Sequence, residues 1–290
     1  MRIRKAVLPV AGLGTRILPA SKVVPKELLP LVDTPTLQYI VEEAVAAGIE
    51  EIIFVTSRSK RGIEDHFDAF PDLEAVLQKK GKMRELEELH RIESMASYVA
   101  VRQSEPLGLG HAVLCAKDLV GNEPFAVMLG DNLVAPETPC LPRMMEIHNR
   151  YHSSVLSLFA CPPEQISAFG VAAVENHEND VVKVNFLVEK PKREEAPSNL
   201  AVDGRYILTP DIFALLEQTQ PGSGGEIQIT DALQMQAAAG HCYGLRFSGV
   251  RYDTGNPLGY LTTSIAYALK RPEFAPGLRE YMRQALKEEA

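Results

Sequence analysis

The segment KAVLPVAGLGTR, residues 5–16, constrains the fold more than any other in the chain. A short apolar strand pattern runs there into two glycines one residue apart, and basic side chains follow at Arg16, Lys22 and Lys26. Without a Cβ, Gly12 and Gly14 let the turn bring backbone N–H groups close to a ligand, and phosphate is the natural guest of such a loop. Two well-known phosphate loops do not fit. A P-loop ends in Gly-Lys followed by Ser or Thr, whereas Gly14 is followed by Thr15 and Arg16. A dinucleotide-binding turn has a third glycine where Ile17 stands and opens a helix at once, whereas Pro19, Pro25 and Pro30 delay the first helix to about Thr36. A lone Gly-x-Gly often does no more than end a strand. Here the three cations and the delayed helix point instead to an anion site on a long loop.

Beyond the loop, Leu37, Ile40, Val41, Ala44 and Val45 recur at helical spacing, with Thr34 as the expected N-cap, Pro35 in the first turn and Gly48 at the exit. Residues 52–56, IIFVT, are an apolar, β-branched run bounded by charge, the pattern of a buried parallel strand reached by a right-handed crossover. Strand, helix and strand in that order make the chain α/β. Residues 63–92 read as charged helix divided at Gly81, with Leu73, Val76, Leu77, Leu86, Leu89 and Ile92 available for a buried stripe. Strand patterns return at 98–103 and 125–129, and three closely spaced ones at 154–161, 170–174 and 181–187 predict a small antiparallel annex on the sheet. The polar stretch 192–199 is the best linker candidate, and helices at 257–269 and 278–286 close the chain.

Charge sets limits on partners. With 30 Lys and Arg against 38 Asp and Glu, the net charge of -8 gives no general attraction to nucleic acid or to anionic membrane. Neither is expected as a partner, so an anionic ligand must be held by local cations, helix N-termini or a metal. The basic start, residues 1–5, precedes an apolar run interrupted by Pro9 and Gly12, too short for a signal or membrane helix, and a cytoplasmic location is expected. Cys115, Cys140, Cys161 and Cys242 form no Cys-x-x-Cys pair and read as buried free thiols.

Several residues carry chemistry. Gln103 ends a strand pattern, and its amide both donates and accepts, as reading the edge of a nucleobase demands. A second glycine loop follows, in which Gly108 and Gly110 permit close approach. Asp131 follows the apolar run 125–129, at the strand end where open α/β sheets bind ligands; one or two carboxylates together with substrate phosphates are a usual seat for Mg²⁺. A turn aspartate that caps the next element is the alternative. His148 and His152 share a helix face without the glutamate of a zinc protease motif and are expected to face solvent. Glu189 and Lys190 place a carboxylate and an ammonium side by side at a strand exit, Gly204 marks a close approach, Thr230 or Asp231 is a helix cap, and Asp253 sits beside a tight turn. Arg58, after the second strand, would suit a 2′-phosphate, but the dinucleotide glycines are missing.

Taken together, these segments closely resemble the bacterial UTP:glucose-1-phosphate uridylyltransferases, or UDP-glucose pyrophosphorylases, through nearly the whole chain. The carriers are GLGTRILPA (12–20), PKELLPLVD (25–33), EPLGLGHA (105–112), EKP (189–191), GEIQITD (225–231) and DTGN (253–256). The resemblance implies a Rossmann-like, mixed and mostly parallel sheet flanked by helices. It also implies a single domain, residues 1–290, with a nucleotide-binding half to about 135, a sugar-phosphate-binding half at about 136–256 and C-terminal helices beyond about 257. It implies Mg²⁺-assisted attack of glucose 1-phosphate on UTP, giving UDP-glucose and pyrophosphate, and assembly as a homodimer or homotetramer. Residue by residue, Arg16 and Lys26 would neutralise the triphosphate beside the Gly12 and Gly14 amides. Ala11, Gly12, Gln103 and Gly108 would contact uracil, with Glu27 near the nucleotide. Asp131, and less directly Asp253, would hold Mg²⁺; Lys190 would hold the sugar phosphate, and Glu189 and Gly170 the sugar hydroxyls. Two departures stand out: Asn132 where many wider relatives have a second acid, and Phe70-Pro71 in place of a small-aromatic pair. A thymidylyl enzyme, a catalytically weak regulatory paralogue that binds an active enzyme and an NADP-binding oxidoreductase are the competing expectations.

Overall fold

The computed structural model describes residues 2–288. Strand β1 (Lys5–Pro9) feeds a loop holding three single 3-10 turns, Thr15–Ile17, Ala20–Lys22 and Lys26–Leu28. Short strands β2 (Pro30–Leu31) and β3 (Thr34–Pro35) pair antiparallel before α1 (Thr36–Ala46) begins. Next come β4 (Glu51–Thr56), α2 (Arg61–Phe67), α3 (Pro71–Lys79), α4 (Met83–Ser94), β5 (Ser97–Arg102), α5 (Leu109–Cys115), α6 (Lys117–Val120), β6 (Phe125–Met128), β7 (Asn132–Val134) and α7 (Leu141–Tyr151). The second half holds β8 (Ser154–Ala160), β9 (Gly170–Glu178), β10 (Val181–Glu189), β11 (Leu200–Leu208), α8 (Ile212–Gln218), α9 (Ile229–Ala238), β12 (Cys242–Arg246), β13 (Arg251–Asp253), α10 (Pro257–Lys270) and α11 (Ala275–Glu288).

One nine-stranded mixed sheet runs in the order β5-β4-β1-β6-β11-β8-β12-β10-β9. The first four strands are all parallel, and following the pairings across the sheet only β10 and β11 run against the rest. Alternation along the strands explains the layers. Ala6 and Leu8 of β1 point into one core with helices α1, α7 and α10, while Val7 points into the other with α5, α8 and α9. Both faces of the sheet are therefore covered, and the carboxyl ends of β1, β4, β5 and β6 open together at one edge.

The expected antiparallel annex is continuous with this sheet: β9 and β10 form its far hairpin, and separate two-stranded antiparallel pairs lie at β2-β3 and β7-β13. Residues 192–199 connect two strands of the one sheet. Three local expectations need correction. Thr34 is not the N-cap of α1, because it pairs in β3 and Pro35 takes the cap position. Helix α3 buries none of its residues, so Leu73 and Val76 remain exposed while Leu86 and Ile92 of α4 supply the contact. His148 is buried rather than solvent-facing, its Nδ1 2.9 Å from the Ser153 carbonyl oxygen. Among the described residues no helix is long and apolar enough to cross a membrane.

Candidate active site

The glycine loop is shaped by one left-handed residue. Gly14 adopts φ 67°, and a Cβ there would come within 3.2–3.4 Å of Ser21 and the Lys26 stem, so glycine serves both the backbone and the packing. The Ser21 hydroxyl donates to the Gly14 carbonyl at 2.7 Å and draws the loop back on itself. Gly12, by contrast, faces open space. The run of 3-10 turns then carries Lys26 under the loop, where its ammonium pairs with Asp131 from beyond β6. Arg16 and Lys22 stay exposed.

Electrostatics at this point are mutual. Burial opposes the charge on Lys26, but Asp131 and Glu27 outweigh it and hold the ammonium above its ordinary range. Burial likewise opposes the charge on Asp131, yet Lys26 and Arg16 hold its carboxyl below the usual aspartate value. Strand β13 delivers Asp253 beside it through pairing with β7, and Thr254 ties the two together by donating N–H and hydroxyl bonds of 2.8 and 2.9 Å to the Asp131 carbonyl. Asp131 Oδ2, Asp253 Oδ1 and an Arg16 terminal nitrogen lie 2.8, 3.0 and 3.0 Å from the point where a Cβ on Gly255 would stand. Glycine thus leaves open a cradle lined by two carboxylates and a guanidinium. The oxygen donors suit a hard divalent cation shared with phosphate oxygens, so the residues present fit Mg²⁺.

A cavity of about 370 Å³ lies beside the loop, lined in part by Ala11, Gly12, Gly14, Gln103, Pro106 and Gly108. Gln103 follows β5 directly and is 7% exposed. Gly108 (φ 94°) and Gly110 have a structural reason as well, since a Cβ on either would collide with Ile227, whose N–H donates to the Leu107 carbonyl and whose carbonyl accepts from the Gly110 N–H. Glu27 does not line this cavity. Its carboxylate is 2% exposed and pairs with Lys60 at 2.6 Å, and burial pushes it up despite that cation.

The sugar-phosphate candidates meet at the β9-β10 end. The register sets Glu189 opposite Gly170, and a Cβ on Gly170 would lie 3.3 Å from the Glu189 carboxylate and 3.2 Å from the Thr230 hydroxyl. Thr230 does not cap α9; its hydroxyl donates to Glu189 Oε2 at 2.6 Å. Lys190 follows in a left-handed conformation (φ 45°), which is strained for a lysine and turns its exposed ammonium out of the strand, 3.3 Å from Glu189. Pairing of Val171 with Ala201 places this end two residues from Asp203 of β11, which binds Asn132, the neighbour of Asp131. The two halves of the site therefore adjoin through β11.

That link explains the Asn132 departure. Its amide donates to the carbonyl and side chain of fully buried Asp203 at 2.7 and 3.0 Å, and Asp203 also pairs with Arg251. An acid at position 132 would set two carboxylates together in the core. Sequence patterns assign no functional role to Lys60, Thr230, His111 or the Asp203-Arg251 pair; all but His111, which meets Gln103 eight residues before it, act through a partner distant in the chain, which spacing alone does not reveal.

Comparison with known proteins identifies the family. The family model described as nucleotidyl transferase matches residues 5–269. A UTP--glucose-1-phosphate uridylyltransferase of Bacillus subtilis (strain 168) is 48% identical over 288 residues, covering 99% of each chain. The protein of the same name from Streptococcus pneumoniae serotype 4 is 47% identical, covering 99% of this chain and 97% of its own. Among solved structures, the UTP-bound UGPase from Acinetobacter baumannii superposes with a TM-score of 0.89 at 43% identity, over 97% of this chain and 99% of that one. A UDP-glucose pyrophosphorylase complexed with UDP-glucose superposes at 0.85 with 44% identity, over 93% and 100%. The chain belongs to the nucleotidyl transferase family, within its UTP–glucose-1-phosphate uridylyltransferase branch.

Proposed function

We propose that this chain transfers the uridylyl group of UTP to glucose 1-phosphate, forming UDP-glucose and releasing pyrophosphate. The observation that carries the proposal is the convergence of Arg16, Lys26, Asp131 and Asp253 beside the glycine loop, in a fold shared with UTP-bound and UDP-glucose-bound relatives. A phosphate oxygen of the sugar forms a bond to the α-phosphorus as the bond to the bridging oxygen breaks, and that electron pair leaves with pyrophosphate. Such a transfer needs positioning and charge neutralisation more than a protein nucleophile.

Arg16 and Lys26 neutralise the triphosphate while the Gly12 and Gly14 amides hold it against the loop. Ala11, Gly12, Gln103 and Gly108 receive the uracil, and Glu27 acts from below by fixing the turn that carries Lys26. Lys190 holds the sugar phosphate as a point charge, and Glu189 with the Gly170 backbone binds sugar hydroxyls. Asp131 and Asp253 would hold Mg²⁺, which when bound neutralises charge on the phosphates. The proposed setting is the cytoplasm and the proposed assembly a homodimer or homotetramer, checked by light scattering of the purified chain. Product identity tests the function: incubation of UTP with glucose 1-phosphate and Mg²⁺ yields UDP-glucose by mass spectrometry, and its absence refutes the assignment.

A further inference from the structure

The side chain that faces the base cavity is itself held by a residue outside it. Gln103 Nε2 lies 3.0 Å from the Gly108 carbonyl oxygen and 3.0 Å from His111 Nδ1 on α5. A carbonyl oxygen can only accept, so the group facing Gly108 is the amide NH₂, and the orientation of Gln103 follows from chemistry. The second hydrogen of the same NH₂ meets His111 Nδ1, which must then be the bare nitrogen of the ring. With both hydrogens engaged, Gln103 Oε1 is turned away from these two partners, and it makes no hydrogen bond among the described residues. The amide borders the cavity that also holds Ala11, Gly12 and Gly108.

We infer that His111 is a positioning residue that fixes the Gln103 amide with its oxygen presented to the cavity, so that the site accepts an imide N–H and favours uracil over cytosine. The inference rests on the uridylyl-transfer reading and deepens it. Uracil carries a hydrogen on N3 between two carbonyls, and Oε1 can accept it. Cytosine has a bare N3 acceptor in the same place, so oxygen would face nitrogen lone pair to lone pair. Were the amide free to turn, this discrimination would fade, because NH₂ could donate to the cytosine N3. Gly108 alone restrains one hydrogen; His111 engages the other and closes that alternative. Thymine presents the same imide edge, so His111 has no bearing on the choice between UTP and dTTP.

The test compares wild type, His111→Leu and His111→Asn, whose Oδ1 can stand in for Nδ1. For each, kcat/KM and equilibrium affinity are measured with UTP, CTP and dTTP. His111→Leu is expected to lower the UTP:CTP ratio about tenfold, the scale of one unmet buried hydrogen bond, while UTP and dTTP change in parallel. His111→Asn is expected to restore the ratio. A folded His111→Leu with the wild-type UTP:CTP ratio in both measurements overturns the inference. Failure of wild type to turn over UTP would instead overturn the uridylyl-transfer reading, and the affinity ratios would still decide the role of His111. Should His111→Leu not fold, nitrogen NMR of the wild-type ring decides: a proton on Nε2 supports the inference and a proton on Nδ1 overturns it.

Discussion

Lys26 and Asp131, 105 residues apart in sequence, form a direct ion pair beneath the glycine loop. Neither is free in solvent, and each moves the other's proton affinity away from its ordinary value. Because the folded carboxyl of Asp131 sits below the ordinary 3.8, the pair's contribution is fully present above that value and is lost as pH falls through the folded one. Urea unfolding of wild type and Asp131→Asn should differ by about 1.5–3 kcal/mol near neutrality, the worth of a charged hydrogen bond. The difference should hold steady down to about pH 5 and shrink in the acid range below 3.8. A difference that grows on acidification would contradict the pairing.

The same substitution probes the metal. With one of two carboxylates removed from the Gly255 cradle, kcat should fall by about 10²–10³, the loss typical of one preorganised electrostatic group, and the Mg²⁺ concentration giving half-maximal rate should rise. EDTA should abolish wild-type turnover, and added Mg²⁺ should restore it. An unchanged metal titration in Asp131→Asn would remove Asp131 from the ligand set.

Lys190 makes a separable prediction. Its ammonium is exposed and its nearest charged partner is Glu189, so removing it should leave the fold intact. Lys190→Ala should lose turnover by about 10² or more while melting temperature and UTP affinity stay close to wild type. Wild-type turnover in that variant would exclude Lys190 from holding the sugar phosphate.

Lys60 and Glu27 form a pair in which both members are almost fully buried. Removing one partner of such a pair leaves an uncompensated charge, so Lys60→Met should destabilise by about 3–5 kcal/mol in urea unfolding. Replacing both, as Lys60→Met with Glu27→Leu, should recover much of that stability. If the single variant is as stable as wild type, the pair does not organise the turn that carries Lys26.

Local chemistry was the legible part of this chain. Continuous apolar runs mark the strands at 52–56 and 125–129, and the prolines place the start of α1 at Thr36; that Asn256 caps α10, by accepting from the Gly259 amide, is visible only in the fold. Thr34 misled because a two-residue strand pairing outweighed capping, and Thr230 because a carboxylate from another strand outcompeted the helix end for its hydroxyl. His148 looked like a surface residue because its partner, the Ser153 carbonyl, is backbone and leaves no mark in a pattern of side chains. Lys60 sits in a loop without periodicity, and only the fold shows that Glu27 lies against it. The meeting of the two halves of the candidate site through β11 depends on pairings between strands far apart in sequence, such as Val171 with Ala201, which no local spacing encodes.

Uridylyl transfer is tested most sharply by pyrophosphate release from the purified chain with each component omitted in turn. Rapid release is expected only when UTP, glucose 1-phosphate and Mg²⁺ are all present. Release from UTP without the sugar phosphate, equal release with dTTP, or none with any nucleotide would contradict it.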